Sequence, residues 1–136
     1  MQKILQLEFI PRSADLALLV LRLWLGLSMA LLHGWGKVAA LVAGKNMFEK
    51  PILGLGAWPE FALVTFAEFA CALLVAIGLW TRLASFFMVV TMAVAFFMAH
   101  GMKLSGPMSG EVAYLYLAGY FTLLIAGAGK FSFDKK

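Results

Sequence analysis

Two charged residues sit where apolar runs leave them little access to water: Arg22 within LALLVLRLWLGLSMALL and Glu68 within FALVTFAEFACALLVAIGL. A guanidinium in hydrocarbon costs at least about 3 kcal/mol on insertion scales unless something offsets it. The carboxylate is the obvious partner. At 1.5 Å per residue, Arg22 lies roughly 10 Å and Glu68 roughly 16 Å from the same end of two adjacent helices, an offset of about 6 Å. Both side chains together reach that far. The sequence therefore predicts a buried Arg22–Glu68 ion pair, with two readings of its role. Either the two residues handle a proton, as the catalytic candidates of the chain, or the pair only fixes which helix faces which.

His33 follows Arg22 by eleven positions, which places the two within roughly 20° of one line on a helix. Gly26 and Met29 lie along the same stripe, and Gly26 leaves room for a neighbouring helix or a ligand. His100 ends a later apolar run on the same side of the membrane, and HGMK at 100 to 103 echoes HGWGK at 33 to 37. His33, Lys37, His100 and Lys103, with Trp35 and Glu111 near them, are thus candidates for a polar mouth above the buried pair. Such a set suits a quinone, an anion or a small oxyanion through hydrogen bonding and charge. The alternative is that these are ordinary residues ending helices, where His and Lys are favourable. Haem or metal ligation by the two histidines has no HxxxH or CxxC spacing behind it, so no metal site is expected.

The elements that must position these residues follow from composition. Of 136 residues, 63% are hydrophobic and 13% charged, and mean hydropathy is +0.93. Soluble domains carry roughly a quarter charged residues. The net charge of +4 comes from scattered Lys and Arg with no basic stripe, which excludes a nucleic-acid partner and fits membrane lipid. The lone Cys71 provides no dithiol for internal disulfide chemistry and reads as a small buried hydrophobe. Walker A, GxGxxG, GxSxG and HExxH patterns are absent, which removes phosphate-loop, dinucleotide, serine-hydrolase and zincin chemistry.

The expected fold is an all-α integral membrane four-helix bundle, one domain over 1–136, with spans at about 14–33, 60–79, 83–100 and 111–128. Arg22 interrupts what would be a signal-peptide core, so the first span is expected to be retained. The apolar run from Val38 to Ala43 either extends the first helix or lies in the interface. Trp58-Pro59-Glu60 signals a helix start, and Trp80-Thr81-Arg82 is a turn so short that its flanking spans must be antiparallel neighbours. Tyr114, Tyr116 and Tyr120 place hydroxyls where they reach water or polar groups of the bundle. Six basic residues, Lys3, Arg12, Arg82, Lys130, Lys135 and Lys136, fall on the side of the termini, against Lys37, Lys45, Lys50 and Lys103 on the other. That bias puts both ends in the cytoplasm.

The chain resembles the DoxX family of small four-span bacterial and archaeal membrane proteins. The resemblance rests on LRLWLGLSMALLHGWGK, on AEF followed by AIGLWTRLAS, on AFFMAH and on GAGKFSFD, in that order over nearly the whole chain. It implies a polar pattern at Arg22, His33, Lys37, Glu68, Arg82 and His100. It also implies a link to thiosulfate:quinone oxidoreductase subunits or to membrane partners of superoxide- and thiol-stress enzymes. The resulting expectation is an accessory subunit of a quinone-dependent oxidoreductase in a bacterial or archaeal cytoplasmic membrane. It would carry no covalent cofactor, bind a quinone, and work with a soluble redox partner subunit or as a homo-oligomer. The rival readings are a small proton-coupled transporter and a non-catalytic anchor for a soluble redox enzyme.

Overall fold

Ser13 starts the first long helix by accepting a hydrogen bond from the Leu16 N–H at 3.2 Å, with Asp15 in the first turn near the positive helix end. The computed structural model describes residues 1–134, so Lys135 and Lys136 of the basic count lie outside the described residues. Within them, a short exposed helix α1 (Gln2–Leu5) precedes α2 (Ala14–Val42), α3 (Ala57–Ile77), α4 (Thr81–Ala99) and α5 (Glu111–Ala126). The apolar run from Val38 thus extends the first helix. The described residues contain no strand.

The first three long helices, of 29, 21 and 19 residues, are long and apolar enough to cross a bilayer. The fourth, α5, has 16 residues and falls short of a full span, but it packs along α4 and against α2 and so closes a ring of four helices. Their outer surface is apolar: Trp24, Leu31, Phe66, Phe87, Leu115 and Ile125 are all exposed. The buried interior is small and soft, built from Met29, Ala30, Ala67, Cys71, Ala72, Val75, Met88, Met92, Tyr120 and Leu123.

Helix α2 meets α3 through small residues, as helices do where lipid supplies no drive to associate. A methyl group on Gly26 would lie 2.6 Å from the Ala72 carbonyl oxygen, and one on Gly34 2.8 Å from the Glu68 carbonyl carbon. Both glycines therefore allow backbones to touch. Arg22, Gly26, Ala30 and Gly34 recur every fourth residue, a spacing that drifts around an ideal α-helix. The drift is partly taken up because α2 widens into π turns over Met29–Gly34. Matching π turns occur over Phe66–Cys71 in α3 and Ala95–Ala99 at the end of α4. The turns of α2 and α3 pack on one another.

At the end of the bundle that holds the termini, α3 stops at Gly78, whose left-handed conformation (φ 75°) lets its own N–H and that of Leu79 bond back to Leu74. The segment after α5 then folds under this stump. Asp134 N–H donates to the Gly78 carbonyl at 2.8 Å, while its carboxylate accepts from the N–H groups of Trp80 (2.6 Å) and Thr81 (2.9 Å) and so caps α4. Lys130 N–H donates to the Asp15 carboxylate at 2.9 Å, tying the same segment to the start of α2. At the opposite end, the Glu60 carboxylate accepts from the N–H groups of Ile52, Leu53 and Leu55 and pins the long loop before α3. That loop-side role goes beyond the helix-start signal read from Trp58-Pro59-Glu60.

Candidate functional site

The expected Arg22–Glu68 pair does not form. Arg22 is fully buried, and its guanidinium donates to the carbonyl oxygens of Ala76 (3.0 Å), Val75 (3.4 Å) and Phe131. Those first two are last-turn acceptors of α3, so the cation caps the negative end of that helix and joins it to the C-terminal segment. The flush alignment assumed in the sequence is what fails. Gly34 packs on the backbone of Glu68, and Arg22 is twelve residues earlier, about 18 Å away along α2. Arg22 consequently meets the stump of α3 and not its middle.

Glu68 pairs instead with Lys37, three residues beyond Gly34 on α2. The ammonium also donates to the His33 carbonyl at 3.3 Å, so it is held from two sides. The pair is largely enclosed, with side chains 18% (Lys37) and 11% (Glu68) exposed. Both residues line a cavity of about 370 Å³ together with His33, His100, Tyr116 and Ser109, walled by Met29 and Met92. The three π turns converge here: His33 and Glu68 lie in two of them, and His100 follows the third. Widened turns of this kind recur at functional sites.

Each polar group around the cavity has a defined holder. The His33 ring meets Tyr116 edge-on at 5.8 Å between centroids. The Tyr116 hydroxyl shares a hydrogen bond of 2.8 Å with Ser28, and Tyr120, one turn on, donates to the Leu25 carbonyl at 3.1 Å. His100 Nδ1 lies 3.0 Å from the Met108 carbonyl oxygen. A carbonyl only accepts, so Nδ1 carries the proton and Nε2 keeps a lone pair in the neutral ring. The arrangement offers an ammonium, a carboxylate, two imidazoles and a phenol around one space.

The sequence candidates divide as follows. His33, Lys37, Glu68 and His100 share the cavity; Arg22 sits at the far end of the bundle. Trp35 points away, 58% exposed and packed on Phe69 at 6.0 Å between rings. Lys103 and Glu111 are exposed and do not line the cavity. Met29 lines the cavity from the stripe it shares with His33, while Tyr116, Met92 and Ser109 are lining groups that the sequence did not single out as such. For Tyr116 a signal existed, the i, i+4 spacing of Tyr116 and Tyr120 that aims both at α2. Among the described residues no group of three His, Cys, Asp or Glu side chains converges as a metal site requires.

No curated protein and no solved structure matches the chain. The DoxX family model matches residues 17–101, a stretch that takes in Arg22, His33, Lys37, Glu68 and His100 and makes up well over half of the chain. With its helical membrane architecture beside that match, the chain belongs to the DoxX family of membrane proteins.

Proposed function

We propose that the cavity around the Lys37–Glu68 pair receives the ring of a membrane quinone, and that the protein is a quinone-linked accessory subunit. The supporting observation is the convergence of His33, His100, Tyr116 and the ion pair on one space of about 370 Å³, within the size range of small-molecule sites. The quinone carbonyl oxygens accept hydrogen bonds, and Lys37 and His33 supply donors. Met29 and Met92 give the ring soft apolar walls. Reduction to the quinol consumes a pair of electrons and a pair of protons. A redox-active partner subunit supplies the electrons, and Lys37, Glu68 and His33 hold and pass the protons beside the ring. The basic residues on the side of the termini favour a cytoplasmic location for both ends, so the cavity opens on the opposite face of a bacterial or archaeal cytoplasmic membrane.

The test is titration of the purified full chain with short-tailed ubiquinone and menaquinone analogues. Binding that weakens at least tenfold in Glu68→Gln and in His33→Ala is the expected result. Absence of binding by either analogue, together with full complementation of a deletion by Glu68→Gln, overturns the proposal. The enclosed ion pair also favours a second reading, proton-coupled transport. It predicts pH-gradient-driven uptake of a solute into liposomes that vanishes in Glu68→Gln.

A further inference from the structure

A second cavity, of about 540 Å³, opens at the other end of the bundle between the start of α4 and the end of α5. Trp80, Arg82, Leu83, Gly127, Gly129 and Asp134 are among the residues that line it, and of these Trp80, Arg82 and Leu83 are exposed and form its rim. The Arg82 Nε donates to the Leu124 carbonyl at 2.9 Å, where it caps the last turn of α5. Its two terminal nitrogens donate to no group among the described residues, and the side chain is exposed. The Asp134 carboxylate is the negative group of the cavity, and it is engaged by the N–H groups of Trp80 and Thr81 and faces Arg22. It therefore leaves the outer guanidinium edge unneutralised.

The position of the rim decides what that edge meets. Trp80 is 64% exposed and Leu83 56% exposed, and Leu83 continues into the lipid-facing row of Phe86, Phe87 and Val90. The mouth thus opens sideways at the perimeter, at the level where α4 begins and α5 ends. Exposed tryptophan and arginine at a span boundary belong to the headgroup layer of a bilayer. Lys130 and Arg12 add positive charge at the same end, against the Asp15 carboxylate that lies beside Lys130. Gly127 carries φ 77°, and a methyl group there would lie 3.9 Å from the Arg82 side chain, so the glycine sits directly beside the arginine stem.

We propose that this cavity holds the phosphate of an anionic phospholipid. The terminal nitrogens of Arg82 donate to the phosphate oxygens, a fork geometry that arginine provides. The Trp80 ring lies at the ester level, and Leu83 and Phe87 carry the acyl chain away along α4. The occupant is a structural lipid on the outside of the bundle, and the proposal does not rest on quinone binding at the opposite end.

The test offers the purified full chain mixed micelles of phosphatidylglycerol and phosphatidylcholine, with native mass spectrometry to read which lipid is retained. The wild type is expected to retain phosphatidylglycerol over phosphatidylcholine by roughly fivefold, the factor that one basic residue at an anionic surface provides. Arg82→Gln brings the ratio to parity, and Arg82→Lys keeps part of it. A second measurement needs no change at Arg82. Brominated phosphatidylglycerol quenches tryptophan fluorescence in the wild type, and the quenching falls in Trp80→Phe. Parity in the wild type, a preference untouched by Arg82→Gln, or quenching equal in Trp80→Phe overturns the proposal. So does full displacement of the lipid by inorganic phosphate, which would make the site one for a free oxyanion.

Discussion

The two ends of the bundle each set a basic residue of α2 against α3, and they treat it in opposite ways. Near the termini, Arg22 is fully buried and gives its hydrogen bonds to carbonyl oxygens of α3 and of the C-terminal segment. Near the long loops, Lys37 meets a carboxylate and one carbonyl, with a cavity beside it and two imidazoles within the same lining. A cation spent on backbone acceptors, which Asp134 meets only through its charge and not through a hydrogen bond, is a joint. A cation balanced by a titratable partner at the edge of an opening has somewhere to put a ligand or a proton. Depth in an apolar run does not distinguish the two cases; what surrounds the charge does.

The largest effect is expected from Arg22→Ala. It strips the donors from Val75, Ala76 and Phe131 and releases the segment that caps α4, a loss of about 3 kcal/mol or more in reversible unfolding of the full chain. Arg22→Lys recovers only part, because a point charge cannot bridge α3 and the C-terminal segment at once. Ligand affinity of the folded fraction at the loop end should stay unchanged; a parallel loss there would show that the two ends are coupled.

A smaller cost, about 2 kcal/mol, is expected for Gly34→Ala, whose new methyl would press on the Glu68 backbone and force α2 from α3 beside the cavity. Gly36→Ala, two residues along, meets nothing within 4 Å and serves as its control. Equal behaviour of the two variants would remove close backbone approach as the basis of the α2–α3 contact.

Next comes a double-substitution cycle on the ion pair. Lys37→Met and Glu68→Gln should each destabilise more than their combination does, with a coupling of about 1–2 kcal/mol. Additive costs would mean that the pair carries no energy of its own. The smallest effect concerns acid. Burial opposes the Asp134 carboxylate, but hydrogen bonds from Thr81 and Trp80 and the Arg22 charge outweigh it and hold its pKa below the ordinary range. A depressed carboxylate contributes stability that is complete above its unfolded value of about 3.9 and drains as pH falls through the lower folded value. Proteolytic release of the C-terminal segment should therefore rise only in strong acid, and Asp134→Asn should flatten that profile.

The helical membrane architecture was legible because it rests on long apolar runs, and those need no partner to be recognised. The turn at Trp80 likewise announced antiparallel neighbours. The nearness of His33, Lys37 and His100 was legible from which span ends share a side, whereas Glu68, in mid-span, was matched with Arg22 below them. The pairing of Lys37 with Glu68 was not legible. Register between α2 and α3 is set by where Gly26 and Gly34 permit contact, and equating helix ends shifted it by more than a turn. The role of GKFSFD was also hidden, since a short polar tail gives no sign that its backbone and Asp134 complete the ends of α3 and α4. Hydrogen bonds between distant backbone groups leave no periodicity to read.

The widened stretch in α2 amounts to surplus chain accommodated within a continuous rod. Excising one residue from Met29–Gly34 would let the ladder close in ordinary turns and, because five α residues turn through roughly the same angle as six in the wide turn, would leave Trp35 to Val42 facing their present direction. The Lys37 ammonium would stay beside Glu68, and the change would fall on the side chains of the wide turn itself, His33 among them. A one-codon deletion would thus edit the lining of that opening locally while sparing both the ion pair and the insertion of the helix.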